Sequence, residues 1–116
     1  MLNTEEIQQK IRHFAQEREW TRFHTPKNLA MALSIEAGEL MELFQWLTPE
    51  EAQQVMSTPK AEQVRHEMAD VAVYLLRMAD VLKVDLGQAI EEKMKHNGDK
   101  YPVDKSKGHA RKYDEL

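Results

Sequence analysis

Residues 26–47 read PKNLAMALSIEAGELMELFQWL and residues 59–82 read PKAEQVRHEMADVAVYLLRMADVL. In the first stretch Leu29, Leu33, Leu40, Leu43 and Leu47 fall on one stripe at about 100° per residue, and apolar residues cover most of the remaining circumference. This pattern predicts a long, central, buried helix. In the second, Val64, Met68, Val71, Leu75, Met78 and Leu82 form one broad apolar face, predicting a helix over 59–82 that pairs with the first. Thr25-Pro26, Thr48-Pro49 and Thr58-Pro59 each suit a threonine N-cap followed by proline in the first helical turn.

Outward from these two segments the signals stay helical. Asn3 and Glu6 have capping-box spacing, and Ile7, Ile11, Phe14 and Arg18 follow at helical intervals, predicting a helix over 4–19 with Trp20 to His24 as its exit loop. Thr48 and Glu51 open a short helical connector through Val55. Asp85 and Gln88 cap a further helix ending near His96, where Asn97-Gly98 supplies a stop and Tyr101-Pro102 blocks continuation. Residues 104–116 carry Lys105, Lys107, Arg111 and Lys112 with little apolar content, and no independent structure is expected there. The chain thus divides into one domain, 1–103, and a basic polar tail, 104–116. Four glycines and four prolines in 116 residues, with abundant Ala, Leu, Met, Glu, Gln and Lys, favour an all-α fold.

Composition also excludes several functions. No apolar run approaches the roughly 20 residues needed to cross a bilayer, and the N-terminus lacks the regions of a signal peptide, so a cytoplasmic protein without membrane attachment is expected. With no cysteine, any metal must be held by oxygen or imidazole. A formal charge of −4 argues against duplex nucleic acid as a partner, because such binding relies on a broad positive surface. A small phosphorylated ligand stays open, since a bridging divalent cation reverses the local sign of charge.

The informative anomaly is the placement of acids. Glu36-Ala37-Gly38-Glu39 and Glu67-Met68-Ala69-Asp70 each put two carboxylates three residues apart, about 60° around a helix. Glu36 falls between Leu33 and Leu40 in the middle of the leucine stripe, with Glu39 towards its margin. Glu67 falls among Val71, Tyr74 and Met78, with Asp70 at the edge beside Tyr74. Inward-facing carboxylates cost several kcal/mol each unless compensated, and a divalent cation removes both the desolvation and the mutual repulsion. The competing account is individual salt bridges from Arg12, Arg65 or Lys93. All-oxygen ligation selects Mg²⁺, Mn²⁺ or Ca²⁺ over zinc, and Mg²⁺ shares its shell with waters and phosphate oxygens. A diiron bundle would need Glu-x-x-His pairs, and none of the five histidines has a glutamate three residues before it.

Other residues could hold the rest of a phosphorylated ligand. Lys93 and Asn97 share a face with Leu86, Ile90 and Met94, although a snorkelling lysine and a helix-ending asparagine would look the same. Trp20 and Trp46 stand at the ends of the first two long helices, where each could wall a pocket and stack on a flat base or simply pack. His24, Tyr74 and Tyr101 carry the same two readings, while His13, His66, His96 and His109 read as surface residues.

Taken together, Glu17-Arg18-Glu19-Trp20, Phe23-His24-x-Pro26-x-Asn28-Leu29, Glu36-x-Gly38-Glu39-Leu40-x-Glu42-Leu43-Phe44-Gln45-Trp46, Glu67-x-x-Asp70-Val71 and Lys93-Met94-x-x-Asn97 resemble the all-α MazG-like nucleotide pyrophosphohydrolases, most closely the dCTP pyrophosphatase branch. Lys100-Tyr101-Pro102-Val103 and Lys112-Tyr113 add to the likeness. The resemblance implies an antiparallel four-helix-bundle core completed by homo-oligomerisation, with a tetramer favoured over a dimer. It also implies a nucleoside triphosphate substrate, dCTP or a related pyrimidine nucleotide, cleaved between the α and β phosphates to a monophosphate and pyrophosphate. Glu36, Glu39, Glu67 and Asp70 would then hold Mg²⁺, or Mn²⁺ in its place. Trp20, His24, Trp46, Tyr74, Lys93, Asn97 and Tyr101 would bind substrate. A helical interaction module, or a hydrolase of a different phosphorylated compound, is the alternative.

Overall fold

The computed structural model describes residues 1–116, and every regular element in it is helical. The first helix, α1, spans Thr4–Glu17, with the Asn3 side chain accepting the Glu6 backbone N–H at 3.1 Å. It ends two residues before the predicted limit of 19. Glu19 takes a left-handed conformation (φ 55°), so that its N–H reaches the carbonyl of Gln16 at 3.1 Å and that of Trp20 reaches Ala15 at 2.9 Å. This is the hydrogen-bond pattern of a Schellman stop. It was not anticipated because a glutamate, rather than glycine or asparagine, occupies the left-handed position. A single 3₁₀ turn, Thr21–Phe23, follows.

Helix α2 spans Pro26–Glu42, capped by Thr25, whose hydroxyl accepts the Asn28 N–H at 3.2 Å. The predicted extension to 47 is replaced by tight turns, in which the N–H groups of Phe44 and Gln45 both converge on the Met41 carbonyl. The next cap fixes where the chain must leave the helix: Thr48 and Glu51 form a complete capping box that opens α3, Pro49–Gln53. A 3₁₀ turn, Val55–Ser57, leads to α4, Ala61–Leu82. Thr58 does not cap α4 as its Thr-Pro pair predicted. Its hydroxyl is spent on the Val55 carbonyl at 2.6 Å and accepts the Lys60 N–H at 3.2 Å, so α4 starts two residues after the predicted 59. Lys83, left-handed with φ 60°, ends the helix.

Two compact units result, Met1–Lys83 and Val84–Leu116. In the first, α4 packs most extensively on α2 and more lightly on α1. The fully enclosed apolar side chains are few, namely Ala15, Leu29, Val55, Val64, Leu76 and Ala79. Many larger ones stay exposed, including Met31, Ile35 and Met41 on α2 and Met68 and Leu75 on α4. A chain this sparsely packed has apolar surface available for burial elsewhere.

In the second unit α5 spans Leu86–Lys100, capped by the Asp85 side chain on the Gln88 N–H. The stop expected at Asn97-Gly98 is not used, and the helix runs through both residues. The effective stop is Tyr101-Pro102, where proline pushes Tyr101 out of the helical region to φ −122° and ψ 69°. The tail expected to lack structure contains a one-turn helix α6, Val103–Ser106, and a 3₁₀ turn, Tyr113–Glu115. Tyr113 sets its ring edge-on to Tyr101 at 6.2 Å and lies under the Lys100 ammonium at 4.4 Å, contacts that offset part of the ordering entropy.

Candidate metal centre and adjoining cleft

Because α2 and α4 lie against each other, the acids they carry at equal spacing meet. One carboxylate oxygen from each of Glu36, Glu67 and Asp70 lies within 4.8 Å of the other two. Glu36 and Glu67 are part-buried and Asp70 is exposed, matching their expected positions across the apolar arcs. Glu39, which the spacing placed at the margin, is exposed and outside this trio, although it lies near enough to act on the Glu36 charge. With Glu42, Leu43, Gln63, His66 and Glu67 it lines a cleft of about 350 Å³.

Compensation for these charges does not come from cations of the chain. Arg12 pairs with Asp80 and Arg65 with Glu62, and no ion pair involves Glu36, Glu39, Glu67 or Asp70. Oε2 of Glu36 and Oε2 of Glu67 are buried with no hydrogen-bond partner. With both carboxylates ionised neither oxygen can donate, so a hydrogen bond between them requires a retained proton. The Glu36 carboxyl accordingly keeps its proton up to about pH 7, first through that shared proton with Glu67, then through burial, then through Glu39 and Asp70 nearby. Orphaned buried oxygens on an all-oxygen donor set fit a hard divalent cation.

Beside Asp70 a second cleft, of about 130 Å³, is lined by Phe14, Trp20, His24, Val73, Tyr74 and Arg77, among others. A cavity of about this size takes a benzene-sized ring. The 3₁₀ turn after α1 brings Trp20 and His24 to it, and Phe14 meets Trp20 edge-on at 5.8 Å between ring centroids. Three of the seven predicted substrate-binding residues, Trp20, His24 and Tyr74, thus share one cleft with a carboxylate of the trio. Trp46 is not among them and stands 86% exposed at the end of the turns after α2. Lys93, Asn97 and Tyr101 belong to the second unit, with Lys93 exposed and the other two part-buried.

The sequence reading missed the support behind the cleft. Arg77, 4% exposed in the middle of α4, donates from Nε to His24 Nδ1 at 3.0 Å and from Nη1 to Asp80 Oδ2 at 3.2 Å. Arg12 grips the same Asp80 through two hydrogen bonds of 2.9 and 2.7 Å. Burial lowers the His24 pKa, and the Arg77 charge lowers it further. Asp80 is held below the usual carboxylate range, chiefly by its hydrogen bonds from Arg12. Periodicity gave little signal, because Arg77 falls about 140° around the helix from the centre of the Val64–Leu82 face; the only cue was a lone arginine inside the run VAVYLLRMADVL.

A family model described as MazG-like matches residues 31–116. The chain is 43% identical over 113 residues to dCTP pyrophosphatase 1 of Bos taurus, covering 97% of this chain and 67% of that protein. It is 42% identical over 113 residues to dCTP pyrophosphatase 1 of Homo sapiens, covering 97% and 66%. The chain therefore spans about two thirds of the length of these relatives. Among solved structures, a pyrophosphatase from Archaeoglobus fulgidus superposes with a TM-score of 0.80 at 42% identity, covering 88% of this chain and 94% of the other.

Proposed function

The chain belongs to the MazG-like family, and from that premise we propose that it is a nucleoside triphosphate pyrophosphohydrolase acting on dCTP or a related pyrimidine nucleotide. The observation that carries this reading is the pair of partnerless buried oxygens on Glu36 and Glu67, grouped with Asp70 at the mouth of a ring-sized aromatic cleft. Glu36, Glu67 and Asp70 would hold a divalent cation, Mg²⁺ or Mn²⁺, with Glu39 completing the set. Such an ion would supply charge neutralisation for a triphosphate and a lowered pKa for a water nucleophile.

The remaining roles belong to the protein. Trp20 and Tyr74 hold the base in the cleft beside Asp70, which sets the distance from base to phosphates. Glu39, exposed and next to the trio, is the carboxylate best situated to take a proton from the attacking water. By the family resemblance Trp46 also contacts substrate and, in the second unit, Lys93, Asn97 and Tyr101 are substrate-binding residues, Lys93 offsetting phosphate charge. The apolar side chains left exposed on α2 and α4 support a homo-oligomer, a tetramer of bundle-forming protomers. No helix is long and apolar enough to cross a membrane, and the chain carries no cysteine, which together support a cytoplasmic site of action.

Incubation with dCTP and Mg²⁺ should yield dCMP and pyrophosphate in equal amounts, with turnover abolished by EDTA and by Asp70→Asn. Release of orthophosphate, or undiminished turnover in EDTA, would overturn the assignment.

A further inference from the structure

The chain Arg12, Asp80, Arg77, His24 runs from the surface of α1 through the interior of α4 to the wall of the ring-sized cleft. Its middle member is held from two sides. Asp80, itself gripped by Arg12, fixes Nη1 of Arg77, while Nε points at Nδ1 of His24. A guanidinium is always protonated and has no acceptor, so the nitrogen it faces must carry a lone pair. The one ring proton of a neutral His24 then resides on Nε2. A second proton on Nδ1 would set two N–H groups head to head beside a fixed positive charge. Because Arg77 occupies the Nδ1 edge, the other edge of the ring is the one left to a ligand in the cleft.

We propose that Arg77 is a positioning residue that locks His24 as the Nε2–H tautomer, so that the cleft presents one neutral hydrogen-bond donor to an acceptor atom, an exocyclic oxygen or ring nitrogen, of the nucleotide base. The inference rests on the cleft being the base site. It adds the polarity of the contact: bases with an acceptor at that point are favoured, and those with an N–H there meet donor against donor. Trp20 and Tyr74 give the ring its stacking surfaces, which any base could use, whereas the fixed tautomer distinguishes one base edge from another. A histidine without Arg77 could present either nitrogen and would discriminate poorly.

Imidazole ¹⁵N spectroscopy on the wild-type protein at pH 7 tests the first half without any substitution. His24 should show Nε2 protonated and Nδ1 bare, and a dominant Nδ1–H form or an imidazolium would overturn the proposal. In Arg77→Met the two tautomers should mix. Should that variant not fold, Arg77→Gln, whose neutral amide can either donate to Nδ1 or accept from it, serves the same comparison. Titration with dCMP tests recognition independently of hydrolysis: affinity should fall roughly twofold in the Arg77 variant, the cost of drawing the competent tautomer from an even mixture. Affinity for 2-deoxyribose 5-phosphate, which lacks the base, should not change. A mixed tautomer with unaltered dCMP affinity would refute the role in base reading, and equal losses for both ligands would reduce Arg77 to a structural residue. Failure of the hydrolytic reading would show separately, as absence of pyrophosphate release by the wild type.

Discussion

Replacing Glu36 by glutamine removes one negative charge from the trio while keeping its shape, and its effect on stability should change sign with metal. Without metal, the folded protein holds the Glu36 proton up to about pH 7, whereas the unfolded chain releases it at the ordinary 4.5. Between those values the folded state binds more protons, so stability is fully present below pH 4.5 and is lost as pH rises to 7. A rise of that size corresponds to about 3 kcal/mol for a group sealed from water. Glu36 is only part-buried, and solvent screening reduces the penalty to about 1 kcal/mol, or about 4 °C in Tm for a domain of this length. Glutamine has no proton to lose. In EDTA at pH 8 Glu36→Gln should therefore melt about 4 °C above the wild type, with the gap closing towards pH 4.5. With Mg²⁺ at a hundred times its Kd the wild type gains about 2.7 kcal/mol and the order reverses, because the variant has lost a ligand. Differential scanning calorimetry over this pH range, with and without Mg²⁺, measures both. A variant that is less stable than the wild type in EDTA at pH 8, or that gains as much from Mg²⁺, would refute the account of an uncompensated buried carboxylate.

The arginine network allows two more. Asp80→Ala leaves the buried Arg77 without its carboxylate and should cost about 3 kcal/mol by urea unfolding, whereas Arg12→Ala, which removes the more exposed partner, should cost clearly less; equal costs would mean that Arg77 does not need Asp80. His24, whose pKa lies below 6.5, contributes stability that is present above pH 6.5 and lost as pH falls through its folded value, so the wild type should lose Tm relative to His24→Gln below pH 6.5, and parallel melting curves would contradict the lowered pKa.

The parts of the fold that could be read from sequence are those set by local hydrogen-bond chemistry. Asn3, Thr25, Thr48 and Asp85 each cap the helix their spacing announced, because a short oxygen-bearing side chain three residues before a free N–H meets it in almost any context. The misread boundaries were decided by competition between neighbours. Thr58 had a closer acceptor in Val55, Glu19 took a conformation usually left to glycine, and Gly98 stayed helical because Pro102 already supplied a stop further on. The acid cluster was legible for a different reason: periodicity alone turned Glu36 and Glu67 towards the apolar faces, and two packed helices with matching pairs must bring them together.

The buried cation escaped the logic that located the buried anions. Arg77 is buried, yet winding at about 100° per residue puts it about 140° from the centre of the Val64–Leu82 face, on the side where solvent would be expected. A lone arginine admits more solutions than a carboxylate pair, since a long side chain can carry its charge back to solvent. Choosing between escape and burial needs knowledge of all the partners: Asp80 is only three residues away, but His24 is 53 residues away and arrives only through the turn after α1. Helix α4 thus carries opposite charges on its packed surface, acids towards α2 and a guanidinium towards α1. The acids have no cationic partner in the chain and leave two buried oxygens without a hydrogen bond, whereas the guanidinium bonds both His24 and Asp80, which is the division expected when an outside cation completes one group and the chain itself completes the other.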